Sequence, residues 1–136
     1  MVPVYDLVKD RKVLFIEADC TVLEASRYMM EHRIGALPVV RGDELVGIFS
    51  ERDVMNRVVA AGRMPGTTKV SEVMTTNPKT VRAQESIEEC LFLMREFGFR
   101  HLPIMDGKEI KGLVSIRDIV LSYLAQKEAE ARRAAG

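Results

Sequence analysis

Hydrophobic residues along this chain alternate between helical spacing and short continuous runs. Two stretches carry apolar residues three and four positions apart, as one buried helix face requires: Val22, Ala25 and Met29 in the first, and Ile87, Cys90, Leu91 and Met94 in the second. Each stretch follows a capping-box pattern, Thr21-x-x-Glu24 or Ser86-x-x-Glu89, in which hydroxyl and carboxylate satisfy backbone N–H groups at a helix start. The pattern therefore predicts two matching amphipathic helices.

Each predicted helix is followed by two apolar runs with a glycine turn between them. The runs cover 36–40 and 45–49 in one half and 101–105 and 110–114 in the other, which predicts two β-hairpins. Because proline cannot donate to a ladder, we expect Pro38 and Pro103 at a sheet edge or a strand end. A second helix is predicted from near Ser50 and Ser115, and short strands over 14–17 and 79–82 precede the first helices.

The two halves are an internal repeat. Identical residues recur 65 positions apart over the hairpins, as in Pro38/Pro103, Gly42/Gly107, Gly47/Gly112 and Asp53/Asp118. Upstream the offset is 66, as in Val4/Val70, Leu7/Val73 and Phe15/Val81. We predict an α/β fold of two β-α-β-β-α units packed with pseudo-twofold symmetry, because one three-stranded sheet with helices on one face buries that face poorly alone. The predicted bounds are 1–62 and 63–124, with a helical or frayed tail over 125–136.

Composition and charge mainly argue against certain partners and sites. The 136 residues include 47% hydrophobic and 29% charged residues, and 20 basic side chains balance 20 acidic ones. A net charge of zero argues against nucleic acid or anionic membrane as a partner, and no apolar run suggests a membrane span. Cys20 and Cys90 are predicted to be small buried hydrophobes, with no clustered metal site. The basic residues Lys9, Arg11 and Lys12 receive no role, and we expect a cytoplasmic protein.

A candidate site stands where each hairpin meets its second helix. The segments are Gly47-Ile48-Phe49-Ser50-Glu51-Arg52-Asp53 and Gly112-Leu113-Val114-Ser115-Ile116-Arg117-Asp118. Ser-x-x-Asp is a common N-capping pattern, in which the aspartate also complements the helix dipole. It equally suits a nucleotide, with free amides, hydroxyl and guanidinium for phosphate and a carboxylate for the two ribose hydroxyls. The capping pattern alone supports both interpretations equally. The nucleotide interpretation gains from the whole combination, in which a strand containing glycine leads into a helix start with a hydroxyl, an arginine and a carboxylate within four residues.

These segments resemble the tandem CBS domains, or Bateman module, first named from cystathionine beta-synthase. The resemblance covers nearly the whole chain and is carried by 33–40, 46–53, 70–75, 99–104 and 112–118. It implies paired β-α-β-β-α units that bind an adenosyl ligand, such as AMP, ADP, ATP, NAD(H) or S-adenosylmethionine, in two clefts between the units. The resemblance also implies that the protein forms a homodimer and requires no cofactor besides this ligand.

The resemblance assigns roles to particular residues. Asp53 and Asp118 correspond to ribose-binding aspartates, and Ser50 and Ser115 to hydroxyls near sugar and phosphate. The other matching positions are the proposed phosphate partners Arg52 and Arg117, the adenine-edge segments Gly35-Ala36 and Arg100-His101, and the pocket hydroxyl of Thr80. Since 13–16 offers no hydroxyl equivalent to Thr80, the second cleft is favoured over the first.

Three functions of different classes remain. A regulatory module that senses an adenosyl ligand leads, because Ser, Arg and Asp recur in both repeats. The alternative is a dimerising interaction scaffold with empty clefts. An enzyme is disfavoured, because the sequence has no catalytic motif and no nucleophile with an adjacent base, so no catalytic residue is assigned. The protein regulated by the module is unknown.

Overall fold

The computed structural model describes residues 1–136 and divides into two compact units. What we call the first unit is residues 13–79, and the second unit is 80–136 together with 1–12. These bounds differ from the predicted 1–62 and 63–124. The difference arises because residues 1–12, the lead-in segment of the first repeat, pack with the second repeat. Residues 63–79, the lead-in segment of the second repeat, pack with the first.

The first unit carries a four-stranded sheet. Its elements are β1 (Ile16–Glu17), α1 (Val22–His32), β2 (Ala36–Arg41), β3 (Glu44–Ser50), α2 (Glu51–Asp53) continuing as a π-helix (Val54–Val59), α3 (Val70–Val73) and β4 (Thr75–Thr76). The strand order is β1-β2-β3-β4, with β1 parallel to β2 and the other pairs antiparallel. The predicted hairpin and second helix are confirmed.

The second unit repeats this plan with a three-stranded sheet. A 3-10 helix (Val4–Leu7) precedes β5 (Val81–Arg82), α4 (Ile87–Phe97), β6 (His101–Asp106), β7 (Glu109–Ser115) and α5 (Ile116–Ala135). The strand order is β5-β6-β7, again with one parallel and one antiparallel pair. The predicted β-α-β-β-α order is therefore confirmed in both units, and the C-terminal tail extends α5. No helix of the chain combines the length and the apolar character needed to cross a membrane.

Helix starts and buried faces follow the local sequence. Thr21 and Glu24 form the complete capping box at α1, with the Glu24 N–H donating to Thr21 Oγ1 at 3.1 Å. At α4 the serine half is present, because the Glu89 N–H donates to Ser86 Oγ at 3.1 Å. The predicted core faces are buried at Val22, Ala25, Met29, Ile87, Cys90 and Met94, whereas Leu91 is half-buried. Helical spacing thus located each core face.

The prolines lie inside central strands, which corrects the expectation of an edge or strand end. Pro38 is the third residue of β2 and pairs with Ile48 of β3. The other neighbour, β1, reaches only Val39 and Val40 of β2, so the strand has a partner on one side at the proline. Pro103 stands in the same relation to β5, which pairs with 104 and 105. A short neighbouring strand therefore tolerates the missing N–H.

The sheet register corrects one predicted equivalence. Ile16 pairs with Val39, and Val81 pairs with Ile104, so Ile16 and Val81 are the corresponding residues. The predicted match of Phe15 with Val81 is wrong: Phe15 is 48% exposed, whereas Ile16 is 9% exposed. The change of offset from 66 to 65 therefore falls between the lead-in segment and β1.

Two glycines let the lead-in segments lie directly on the hairpins. A Cβ at Gly47 would lie 2.5 Å from Met74 Sδ and 2.7 Å from the Thr75 carbonyl oxygen. A Cβ at Gly112 would lie 2.9 Å from Val8 Cγ2. Each repeat thus has a glycine at the same position of its hairpin, where the lead-in segment approaches closely.

We predict that Gly47→Ala destabilises the protein by about 1–3 kcal/mol, because the new methyl group meets backbone at Thr75 as well as a side chain. Gly112→Ala should cost less, since only Val8 must move. Gly66→Ala is the control, because its Cβ would approach no atom closer than 4.0 Å. Urea unfolding of the three variants tests the order, and equal stability of Gly47→Ala and Gly66→Ala would contradict it.

Candidate functional site

The candidate aspartates occupy the same position in the two units. Ser50 ends β3 and Ser115 ends β7, and a helix starts at the next residue in each case. Asp53 and Asp118 therefore lie on the first turn of α2 and α5, as predicted. Both are well covered, with side chains 10% and 17% exposed. The structure thus presents one carboxylate at the junction of hairpin and helix in each unit.

The carboxylate of Asp53 uses one oxygen for local structure. Its Oδ2 accepts hydrogen bonds from the Ser50 backbone N–H at 2.9 Å and from Ser50 Oγ at 3.3 Å. The nearest cation to Oδ1 is Arg57 Nε at 3.6 Å, which is longer than a hydrogen bond. Asp53 therefore supports the helix start while Oδ1 remains without a hydrogen-bond donor.

The carboxylate of Asp118 is engaged at both oxygens. Oδ2 accepts from the Ser115 N–H at 2.9 Å and from Arg11 Nη1 at 3.1 Å, and Oδ1 accepts from Arg11 Nη2 at 2.8 Å. The Asp118 N–H donates in turn to Ser115 Oγ at 3.0 Å, which completes a capping box. Asp118 therefore forms a bidentate ion pair that Asp53 lacks.

These contacts decide the protonation of Asp118. Burial by itself would raise the pKa of this carboxyl, but the hydrogen bonds from Arg11 and Ser115 and the charge of Arg11 outweigh it, and the pKa is lowered from 3.8. The same pair raises the pKa of Arg11. Both groups are consequently charged at neutral pH.

The two predicted adenine-edge segments are held against the helix starts. The backbone N–H of the first residue of α2 donates to the Gly35 carbonyl at 2.9 Å, and that of α5 donates to the Arg100 carbonyl at 2.8 Å. The amides of Ser50 and Ser115 are also used, because they donate to the aspartates. The local chain therefore satisfies these four amides, so they are not among the free amides that phosphate binding requires.

Strand pairing places two further predicted residues opposite the serines that precede the helices. Ala36 pairs with Ser50 across β2 and β3, and His101 pairs with Ser115 across β6 and β7. Ala36 is buried and His101 is half-buried. Hairpin pairing therefore assembles the same set of predicted site residues in each unit.

The predicted cationic residues are available at the surface. Arg52, Arg100 and Arg117 are exposed, and none of them forms an ion pair or side-chain hydrogen bond. Thr80 is exposed directly before β5 and lines an open cavity of about 690 Å³ in the second unit, whose lining does not include Asp118. The corrected register places Phe15 at the position equivalent to Thr80, so the first unit has no hydroxyl there.

Two arginines that sequence analysis missed act at these sites. Arg57 follows Asp53 at i+4 spacing, and its Nη1 donates to the carbonyls of Val73 and Met74 at 3.0 Å each. The i+4 spacing was a signal in the sequence. Arg11 had none, because it lies 107 residues from Asp118.

The two cysteines lie apart from the candidate aspartates in the sequence. Cys90 is buried as predicted, whereas Cys20 is half-buried, and both thiols are free. Burial raises the pKa of Cys90 to about 12 and that of Cys20 to about 11, so both are protonated at neutral pH. No three or more His, Cys, Asp or Glu side chains lie together in a way that could hold a metal ion.

Fold and site together define a pair of CBS domains. The CBS-domain family model matches residues 4–60 and 70–125, so the chain belongs to the CBS-domain family. These matched stretches follow the two repeats of the sequence rather than the two compact units, because each match includes the lead-in segment that precedes its repeat.

Curated relatives and a solved structure agree with this membership. The chain is 34% identical over 129 residues to the CBS domain-containing protein CBSX3, mitochondrial, of Arabidopsis thaliana, across 91% of this chain but 63% of that relative. It is 34% identical to CBS domain-containing protein YhcV of Bacillus subtilis, across 87% and 84% of the two chains. A structure of a protein with CBS domains from Burkholderia ambifaria superposes with a TM-score of 0.85 at 38% identity, covering 91% of this chain and 95% of its own.

We predict that Asp118→Ala lowers stability by about 1 kcal/mol at neutral pH and that this difference narrows below about pH 4. Because the folded-state pKa of Asp118 is lowered, its contribution is present above the unfolded value and is lost as the pH falls through the folded one. Thermal unfolding from neutral to acidic pH measures it. Asp10→Ala, which removes an exposed carboxylate, is the control, and an effect of Asp118→Ala that stays constant into strong acid would contradict the assignment.

Proposed function

We propose that this CBS-domain pair is a non-catalytic regulatory module that binds an adenosyl ligand, of which AMP, ADP, ATP and NAD(H) are the candidates. One observation carries the proposal: Asp53 Oδ1 receives no hydrogen bond although the side chain is 10% exposed. A carboxylate oxygen in a largely covered position gains from added donors, and the two hydroxyls of a ribose supply them. The corresponding Asp118 and the family membership extend the proposal to both units.

The surrounding residues suit the rest of such a ligand. The segments at Gly35-Ala36 and Arg100-His101 are fixed by backbone hydrogen bonds and by strand pairing, so they offer a rigid edge for adenine. Phosphate groups can recruit the exposed guanidinium groups, of which Arg52 and Arg117 lie one residue before the aspartates. Ser50, Ser115 and Thr80 are hydroxyl partners. No metal is required for a monophosphate in this arrangement.

The alternative is a dimerising scaffold without bound nucleotide. It accounts for the capping contacts of both aspartates but gives no role to the open oxygen of Asp53. In a regulatory role the module would act on a target protein or by sequestering its ligand. The cytoplasmic compartment and the absence of nucleic acid as a partner stay predictions.

We expect AMP to raise the melting temperature, since a ligand that binds only the folded state adds about 2.7 kcal/mol at a hundredfold excess over Kd. Asp53→Asn should then weaken AMP at the first unit at least tenfold, because asparagine keeps a capping oxygen and loses the second acceptor. Isothermal titration calorimetry in the presence of EDTA measures the loss and also tests independence from metal.

The control for this substitution is Asp43→Asn, which removes an exposed carboxylate from the hairpin turn of the same unit. It should leave AMP affinity unchanged. Wild-type affinity for AMP in Asp53→Asn would remove the ribose assignment, and no thermal shift with any adenosyl compound would favour the scaffold.

We also propose that the chain forms a homodimer through apolar helix faces. Met55 and Val59 of the π-helix are 59% and 68% exposed, and the corresponding Val120 and Leu124 of α5 are 42% and 51% exposed. In the first unit such residues line an apolar groove of about 510 Å³ between α1 and the π-helix. Exposure of the same apolar positions in both repeats is typical of an interaction surface.

Leu124→Glu should therefore shift the molecular mass from twice 15.3 kDa toward 15.3 kDa at micromolar concentration, because an interfacial charge must be desolvated on association. Light scattering coupled to gel filtration measures the mass. Arg132→Glu, an exposed change farther along α5, should leave the dimer intact, and a monomeric wild-type chain would contradict the proposal.

A further inference from the structure

The ion pair between Arg11 and Asp118 joins the lead-in segment to the start of α5 within the second unit. Its two N–H···O distances are 2.8 and 3.1 Å, one to each carboxylate oxygen. The Arg11 side chain is 54% exposed, whereas that of Asp118 is 17% exposed. The guanidinium therefore covers the carboxylate from the solvent side, where a ligand would approach.

The first unit has no equivalent of this arrangement. The offset of 66 that relates the lead-in segments places Asn77 at the position of Arg11. Asn77 has a left-handed backbone, with φ of 48°, and its N–H donates to the Val46 carbonyl at 3.4 Å. The cation near Asp53 is instead Arg57, which lies on the π-helix and gives its Nη1 to backbone carbonyls. The two equivalent aspartates thus differ. Arg11 donates to both oxygens of Asp118, whereas Oδ1 of Asp53 accepts no hydrogen bond.

A ribose diol and Arg11 need the same acceptor positions. A diol bound through both hydroxyls requires free lone pairs on the carboxylate, and Asp118 already accepts two N–H groups from Arg11 and one from Ser115. The diol can therefore bind through both hydroxyls only if the guanidinium leaves. The guanidinium of Arg11 can stay hydrated after it leaves Asp118, because more than half of the side chain is already exposed to water.

We infer that Arg11 is an internal competitor of the ribose at Asp118, so that it decides which of the two repeats binds nucleotide first. The first unit binds through Asp53 without rearrangement, and the second unit binds only with release of Arg11 from Asp118. This order is the opposite of the prediction from Thr80, which favoured the second cleft. This inference rests on the proposed nucleotide binding. Under this inference, residues 1–12 have a regulatory role. Any change that strengthens or breaks the ion pair between Arg11 and Asp118 alters nucleotide affinity in the second unit alone.

The test is calorimetric titration of AMP into Arg11→Asn, which copies the residue of the other repeat. The Asp53→Asn background isolates the second unit, and in that background Arg11→Asn should tighten AMP about fivefold, the size expected for losing an exposed ion pair. Lys12→Asn removes the same charge from the neighbouring exposed residue and should tighten nothing. A 2′,3′-dideoxy analogue of AMP lacks the diol and should be bound with equal affinity with and without Arg11.

The possible results distinguish competition by Arg11 from the proposed nucleotide binding on which it rests. Unchanged AMP affinity after Arg11→Asn, with AMP still bound by the protein, would overturn the competition and leave nucleotide binding intact. Weaker binding would make Arg11 a ligand contact and overturn it as well. An absence of AMP binding in every variant would remove both. Because Asp53→Asn can impair folding, the single variant Arg11→Asn is titrated in parallel, where the second binding step should tighten by the same factor.

Discussion

The close approach of the lead-in segments to Gly47 and Gly112 is the constraint on which the other features depend. A Cβ at either glycine would lie within 3.0 Å of a neighbouring atom, in Met74 and Thr75 in one unit and in Val8 in the other. Each lead-in segment can therefore lie flat on a hairpin and bury its apolar residues there. Since the segment at 1–12 lies on the second repeat, compact units and sequence repeats do not coincide. The same placement delivers Arg11 to Asp118.

Duplication has left the two repeats with one motif in two chemical states. In the first unit, an arginine on the helix reaches toward the lead-in segment, where Arg57 donates to backbone carbonyls and leaves Asp53 Oδ1 without a hydrogen bond. In the second unit, an arginine on the lead-in segment reaches toward the helix and neutralises Asp118 at both oxygens. Both arrangements tie the helix start to the lead-in segment. They differ in what they leave available to a ligand.

Capping and ligand binding are compatible roles for such an aspartate. A carboxylate has two oxygens, and Asp53 commits only Oδ2 to the backbone N–H and hydroxyl of Ser50. The capping contacts also hold the carboxylate in one orientation, so an incoming diol would meet a preorganised acceptor. The pattern Ser-x-x-Asp at a helix start is therefore compatible with capping alone and with ligand binding. The contacts of the second carboxylate oxygen distinguish the two roles.

The sequence by itself determined the elements, the repeat and where the candidate site residues lie in the fold. Helical spacing, hairpin turns and Ser-x-x-Asp are relations among residues a few positions apart, and neighbouring residues in a chain must be neighbours in space. Tertiary structure alone decided the neighbours of Pro38, the correspondence of Ile16 with Val81, and the pairing of Arg11 with Asp118. Nothing in the pattern around Arg11 distinguishes it from Lys9 or Lys12, because its partner is 107 residues away. Only the packing of residues 1–12 against the hairpin of the second repeat places Arg11, rather than Lys9 or Lys12, beside Asp118.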